Sequence, residues 1–310
     1  MNSGANVEKI KIGVVGGGLM GHGIAYLLAG AGHDVGVFEP STDIRSTLPE
    51  RLQSIADLLD DDPALLHRIT VHDRLAPAVK EVAFVFEAAP EKLPLKQELF
   101  AELESLVAAD TILASNSSAI PTTEIGRNLK HRDRVLGTHF WNPPHLVPLV
   151  EVIQNEKTSE AVIARTMDLL RAAGKTPVHV RRDIPGFIGN RLQHALKREA
   201  IALVAAGVCD AETLDTVVKE GFGARMAVLG PMEQSDLVGL DLTLAISEVL
   251  VEHLDRTPGP HPFLREKVQA GKLGMRAGEG FRKWTPEQAN EVRERLRRFL
   301  AEQAKARWKS

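Results

Sequence analysis

Lys11-Ile12-Gly13-Val14-Val15-Gly16-Gly17-Gly18-Leu19-Met20-Gly21 is the stretch whose reading decides the fold. A short β-branched run ends on a glycine-rich turn, and the apolar pattern of residues 19–31 that follows has helical spacing. A strand delivered through a G-x-G-x-x-G turn into a helix is an arrangement that binds a dinucleotide. Gly16 permits the tight turn, Gly18 lets the backbone approach a pyrophosphate, and Gly21 lets the helix pack on the strand. Unpaired N–H groups around Leu19 and Met20, with the positive end of the helix dipole, then face the phosphates. The next strand, Asp34–Phe38, runs into Glu39, eighteen residues past Gly21. A carboxylate there accepts hydrogen bonds from both ribose hydroxyls and repels a 2′-phosphate, so NAD is favoured over NADP. Arg45, close by, is the feature that speaks for the phosphate.

Working outward, β-branched runs at 82–87, 111–115, 135–139, 150–153 and 176–180 alternate with helical patterns at 96–107 and 159–173. This alternation predicts a parallel, Rossmann-type doubly wound sheet covered by helices, an α/β fold. After Asp183-Ile184-Pro185-Gly186 the pattern becomes almost wholly helical, with Phe187, Ile188, Leu192, Leu196 and Leu203 at helical spacing. The expected division is therefore 1–184 for the dinucleotide domain and 185–310 for an all-helical domain. Asp210 is an expected helix N-cap, and Thr285-Pro286-Glu287-Gln288 is an expected capping box. The helix at 286–307 is rich in charge and is expected to be a solvated face.

The chain has 310 residues, 44% hydrophobic and 25% charged, with a formal net charge of −3, which gives no electrostatic case for nucleic acid or anionic membrane. Cys209 is the single cysteine, so no internal disulfide forms. The polar N-terminus lacks a signal-peptide core, no apolar run reaches membrane-spanning length, and a cytoplasmic location without a membrane partner is expected.

Oxidising a secondary alcohol needs a base beside the hydride acceptor, and histidine suits the role because its ordinary pKa of ~6.5 is close to working pH. His139 is singled out because it ends a predicted parallel strand, on the edge where such sheets bind ligands. Glu151 sits inside the apolar run Leu149-Val150-Glu151-Val152-Ile153, where a buried carboxylate requires a partner.

Several motifs now carry a resemblance. Ser115-Asn116-Ser117-Ser118, Gly137-Thr138-His139-Phe140-Trp141-Asn142-Pro143, Leu149-Val150-Glu151-Val152 and Pro185-Gly186-Phe187-Ile188-Gly189-Asn190-Arg191 match the L-3-hydroxyacyl-CoA dehydrogenases in order and spacing. Glu87-Ala88-Ala89-Pro90-Glu91 with Lys96 resembles the family's stretch beside the nicotinamide ribose, and Gly230-Pro231 with Asp236-Leu237-Val238-Gly239-Leu240-Asp241 extends the likeness along the chain. The resemblance implies that His139 is the base, that Glu151 orients it, and that Ser118 and Asn190 bind the substrate oxygens. It also implies that Asn116 and Asn142 shape the pocket, with Asn116, Ala89, Glu91 and Lys96 on the cofactor side. A homodimer formed through the helical domain is implied too.

Two departures bear on the substrate. The CoA-using members carry a long, lysine-rich helical hairpin after the second strand; here residues 40–73 are shorter, hold no lysine and include Asp60-Asp61-Asp62. Asn142-Pro143-Pro144-His145-Leu146-Val147-Pro148 also has proline where those enzymes have lysine. This version resembles the branch acting on small free acids: L-gulonate 3-dehydrogenase with its lens relative lambda-crystallin, carnitine dehydrogenase and a pyridine-carboxylate dehydrogenase. In that branch Arg225, within Gly223-Ala224-Arg225-Met226, is implied in holding a substrate carboxylate, for which a planar guanidinium is suited. The expected substrate is a 3-hydroxycarboxylate. The alternatives are its CoA thioester, as in a 3-hydroxybutyryl-CoA dehydrogenase, and a non-catalytic NAD-binding structural protein.

Overall fold

The computed structural model describes residues 9–308. Eight strands form one sheet. In chain order the first elements are β1 (Lys11–Val15), α1 (Gly21–Gly30), β2 (Asp34–Phe38), α2 (Thr42–Leu59), β3 (Ile69–His72), α3 (Leu75–Ala78), β4 (Phe84–Glu87) and α4 (Leu93–Leu106). There follow β5 (Ile112–Ser115), α5 (Thr122–Ile125), β6 (Val135–Phe140), β7 (Leu149–Ile153), α6 (Glu160–Ala172) and β8 (Thr176–Val180). The sheet order is β3-β2-β1-β4-β5-β6-β7-β8, which reverses direction between β1 and β4. That reversal opens a crevice at the carboxyl ends of these two strands, where ligands of such sheets bind.

The sheet is not wholly parallel, as the alternation had predicted. β6 and β7 are antiparallel, with His139 directly opposite Glu151, and β7 then pairs in parallel with β8. The chain reverses through the short loop 141–148 instead of crossing over through a helix, which only an antiparallel pair permits. β3 and α2 are further additions to the sequence reading. Both faces of the sheet are covered: Ile12, Val14, Phe84, Phe86, Leu136 and Val152 belong to one apolar cluster, and Val15, Val85, Leu113 and Val135 to another.

The helical part comprises α7 (Gly189–Ala205), α8 (Ala211–Glu220), α9 (Pro231–Val238), α10 (Leu240–Leu250), α11 (Pro262–Gln269) and α12 (Pro286–Trp308). Asp210 accepts from the Thr213 N–H at 2.7 Å, and Thr285 and Gln288 exchange the two bonds of the expected capping box. Two compact units result, one of Met1–Asn190 with Leu296–Ser310 and one of Arg191–Arg295. The final turns of α12 therefore belong to the first unit, where the expected division placed them in the second, while most of the helix is exposed, as its charge implies. Their small residues explain it: Ala301 and Ala304 are buried against Leu146, with Leu58, Leu59 and Leu300 around them. Lys305 pairs with Asp60. Placing a carboxylate there, as in Ala304→Asp, should cost at least about 2 kcal/mol and lower the midpoint of urea unfolding; an unshifted midpoint would contradict this packing.

Candidate active site

The glycine turn has the geometry its spacing implies. Gly16 has φ +97°, and a Cβ there would lie 2.8 Å from the Ala88 carbonyl oxygen, so β1 and β4 approach each other closely at the switch point. A Cβ on Gly21 would sit 1.7 Å from the Gly16 carbonyl oxygen, whereas one on Gly18 would meet nothing within 4 Å. Gly18 thus borders open space and Leu19 is exposed, while Met20 caps α1. These residues fit a dinucleotide pyrophosphate. Glu39 is buried; its Oε2 accepts from the Gly17 N–H and its Oε1 from the Ser41 N–H, both at 2.8 Å, which leaves lone pairs for ribose hydroxyls. Arg45 donates to the Glu39 and Pro40 carbonyls, so its guanidinium is engaged with backbone.

Beyond β4 lies a buried ion cluster. Lys96 donates to Glu87 Oε1 at 2.6 Å and to the Ala89 carbonyl, and Glu91 Oε2 is 3.4 Å from its ammonium. Ser115 Oγ and the Ala89 N–H complete the Glu87 carboxylate. A buried pair is tolerable only with its remaining sites satisfied in this way. Lys96 is 1% exposed, so of the residues placed on the cofactor side its ammonium acts through Glu91 and the 88–91 backbone. Glu91 Oε1 in turn accepts from Ser117 Oγ and from the N–H groups of Ser118 and Ala119. Burial alone would raise the Glu91 carboxyl, but these donors and Lys96 hold it below the usual carboxylate range.

A buried histidine and carboxylate meet across the antiparallel pair. His139 Nδ1 lies 2.8 Å from Glu151 Oε2, and Oε1 accepts the N–H groups of Ile188 and Gly189 at 2.9 and 3.0 Å. Since a carboxylate only accepts, Nδ1 carries the proton and Nε2 keeps its lone pair. Burial would raise the Glu151 carboxyl, yet the bond from His139 and the two backbone donors outweigh it and lower the pKa. Trp141 and Phe187 flank the imidazole, with ring centroids 5.6 and 5.5 Å away. Asn116 is buried, its Oδ1 accepting from the Phe140 N–H, and Asn190 Nδ2 donates to the Ser118 carbonyl at 3.2 Å. Asn142 is exposed just beyond β6. The first unit therefore brings together His139, Glu151, Asn116, Ser118 and Asn190. Arg225 lies in the other unit, at the exposed end of a short turn of helix, Phe222–Arg225.

Two supporting residues escaped the sequence reading. Asp183 Oδ2 accepts from Thr122 Oγ1 and from the N–H and Oγ1 of Thr123, fixing the chain just before Phe187. Lys175 donates to the Pro144 and Val147 carbonyls, tying down the loop between β6 and β7. Burial pushes its pKa down to about 7. Neither stands in a motif that points to chemistry, so only the fold reveals them.

The sequence model for "3-hydroxyacyl-CoA dehydrogenase, NAD binding domain" matches residues 11–184, and that for the family's C-terminal domain matches residues 186–284. The chain belongs to the 3-hydroxyacyl-CoA dehydrogenase family. It is thus an NAD-dependent dehydrogenase. The 5-formyl-3-hydroxy-2-methylpyridine 4-carboxylate 5-dehydrogenase of Mesorhizobium japonicum is 36% identical, covering 94% of this chain and 96% of the relative. A probable 3-hydroxybutyryl-CoA dehydrogenase of Bacillus subtilis is 37% identical over 89% and 97% of the two chains. An L-carnitine dehydrogenase of Streptomyces coelicolor is 36% identical over 77% and 76%. Among solved structures of the family, an NAD+-dependent dismutase described as a pyridine-carboxylate 5-dehydrogenase superposes with a TM-score of 0.88 at 34% identity, covering 96% of this chain and 98% of that one. No helix among the described residues is long and apolar enough to cross a membrane.

Two predictions follow from the geometry. Gly21→Ala should displace the Gly16 peptide, cost about 1–3 kcal/mol and weaken NADH binding in a fluorescence titration. The folded Glu151 carboxyl lies below its unfolded value of ~4.3, so it contributes stability above that pH, and the contribution is lost as pH falls through the folded pKa. Glu151→Gln should therefore flatten the acid limb of a stability-against-pH curve below about pH 4.5; an unchanged limb would mean that the carboxylate is not so held.

Proposed function

We propose that the protein oxidises the 3-hydroxyl of a free 3-hydroxycarboxylate to the 3-oxo acid, with His139 as the base. What carries this reading is the His139–Glu151 contact, which leaves Nε2 as an acceptor for a hydroxyl proton. Bound NAD supplies the acceptor for the hydride that leaves the carbinol carbon. As Nε2 takes the proton, the imidazole becomes a cation, and the Glu151 carboxylate stabilises it without moving. The Ser118 hydroxyl and the Asn190 amide hydrogen-bond the substrate oxygens and fix which hydrogen faces the cofactor, while Trp141 and Phe187 keep water from the imidazole.

The case for a free acid rests on the segment after Glu39. It forms helix α2 and a short 3-10 helix, Pro63–Arg68, in place of a lysine-rich hairpin, with Asp60, Asp61 and Asp62 between them. A phosphate-bearing CoA handle finds little complementary charge there. The Mesorhizobium and Streptomyces relatives are named for a pyridine carboxylate and for L-carnitine, neither a thioester. Arg225 is the proposed carboxylate anchor; no ion pair to it is present among the described residues. The thioester reading is favoured by one observation, the comparable identity to the Bacillus relative.

A homodimer through the helical unit completes the proposal. None of the residues of α7 to α11 is buried, and Met232, Leu237, Leu240 and Val249 are between 64% and 72% exposed. So much apolar surface on several helices needs a partner, and a second copy supplies a self-complementary one.

His139→Gln should lower kcat by at least about a hundredfold with NADH affinity nearly intact; near-normal turnover removes His139 from the base role. In a kinetic screen of 3-hydroxybutyrate, carnitine, gulonate, pyridine carboxylates and 3-hydroxybutyryl-CoA, Arg225→Ala should raise KM for the accepted free acid, and a strong preference for the thioester would refute the free-acid reading. Sedimentation should give twice the chain mass; a monomer at micromolar concentration would exclude the dimer.

A further inference from the structure

Arg51 lies on α2, outside every motif discussed above, and is turned toward the glycine-rich turn. Its Nη1 donates to the Gly17 carbonyl and its Nη2 to the Gly18 carbonyl, each at 3.1 Å. The guanidinium fork thus grips two consecutive peptide planes. In a trans peptide the N–H points away from the carbonyl of the same plane. Holding the Gly17 and Gly18 oxygens therefore directs the N–H groups of Gly18 and Leu19 to the opposite side, where Gly18 borders open space and Leu19 is exposed.

His22, in the first turn of α1, meets the same fork. Its Nδ1 lies 2.8 Å from Arg51 Nη2 and 2.8 Å from the Gly18 carbonyl oxygen. One atom cannot satisfy both contacts at once. Without a proton, Nδ1 accepts from Arg51, which donates to the Gly18 carbonyl as well, and the network is consistent. With a proton, Nδ1 donates to the Gly18 carbonyl and sets an N–H against the guanidinium. The groups facing His22 are Arg51 from α2 and His145 from the loop after β6, whose ring centroid is 6.3 Å away. Burial holds the His22 pKa below its ordinary 6.5, with the Gly18 carbonyl opposing this and Arg51 adding to it.

We propose that Arg51 is a positioning residue for NAD: it locks the Gly17 and Gly18 peptides so that their N–H partners face the pyrophosphate, and neutral His22 keeps it there. A cation on the carbonyl side also polarises these peptides and strengthens their N–H groups as donors. The planar fork matters, since a lysine ammonium carries the charge as a compact point and lacks two fixed, coplanar donors to meet consecutive carbonyls.

NADH fluorescence titration of the intact protein tests this without any substrate. Arg51→Ala should raise the NADH dissociation constant about tenfold. In displacement of NADH, ADP-ribose should weaken by a similar factor and adenosine, which lacks phosphate, should not. Arg51→Lys, which keeps charge and most of the stem, should fall between the parent and Arg51→Ala. An Arg51→Ala protein that binds NADH within twofold of the parent overturns the proposal, as does an equal loss for adenosine. If Arg51→Ala does not fold, Arg51→Lys carries the same comparison, and parent-like ADP-ribose affinity in it overturns the need for the fork. His22→Asn retains an acceptor near the Nδ1 position but cannot titrate. As pH falls below His22's ordinary 6.5 the parent should lose NADH affinity, and His22→Asn should lose less; superimposable profiles overturn the part assigned to His22.

Discussion

The site depends on one buried carboxylate. Glu151 is 1% exposed, and an ion so far from water survives only when its oxygens are occupied. Three donors occupy them: the imidazole of His139 and the backbone N–H groups of Ile188 and Gly189. The first fixes the tautomer of the imidazole. The other two fix the chain where the sheet part ends and α7 begins, and so place Asn190 beside Ser118. Asp183 secures the same segment through Thr122 and Thr123. One ionised group thereby settles both the chemistry of the histidine and the path of the chain that completes the pocket.

That carboxylate faces His139 because of the one antiparallel pairing in the sheet. Directly opposed residues in such a pair project their side chains to the same face, so a twelve-residue separation in sequence becomes a 2.8 Å contact. A parallel crossover would have needed a helix between the strands. The short loop that replaces it is held from two sides: Lys175 takes the Pro144 and Val147 carbonyls, and Leu146 enters the cluster closed by Ala301 and Ala304 of α12. The last helix, which reads as a charged surface helix, therefore supports the loop between the strands that carry His139 and Glu151.

What was legible in the sequence follows from how local each feature is. The β1–turn–α1 unit, the Asp210 cap and the Thr285 capping box are each set by neighbours within a few residues, and each appears where the spacing puts it. Glu151 is legible as a buried carboxylate in need of a partner because it stands inside Leu149-Val150-Glu151-Val152-Ile153; that the partner is His139 follows from the likeness to the family and not from the run itself. The direction of β7 was not, since alternation of strand and helix says nothing of a strand that returns through a loop. β3 escaped because four residues, Ile69–His72, at the sheet edge carry little periodic signal. The packing of the last turns of α12 escaped because it is made by alanines, Ala301 and Ala304, which give an apolar face without a marked stripe. Arg51 and His22 are invisible in one dimension: their partners are backbone carbonyls, which no sequence pattern records.

Next to the switch point a second charged cluster links the end of β4 to the segment that follows β5. Lys96 binds Glu87, at the end of β4, and approaches Glu91, whose other oxygen gathers the N–H groups of Ser118 and Ala119. Ala88, between them in sequence, touches the space a side chain on Gly16 would need. A shift of the 88–91 segment must therefore be felt both at the glycine turn and at Ser118. Charged groups so placed hold geometry more than they add stability, because their mutual attraction chiefly offsets the cost of leaving water. The buried ions of this fold are best understood as fixing distances between the polar side chains around them, a task for which apolar packing alone lacks direction.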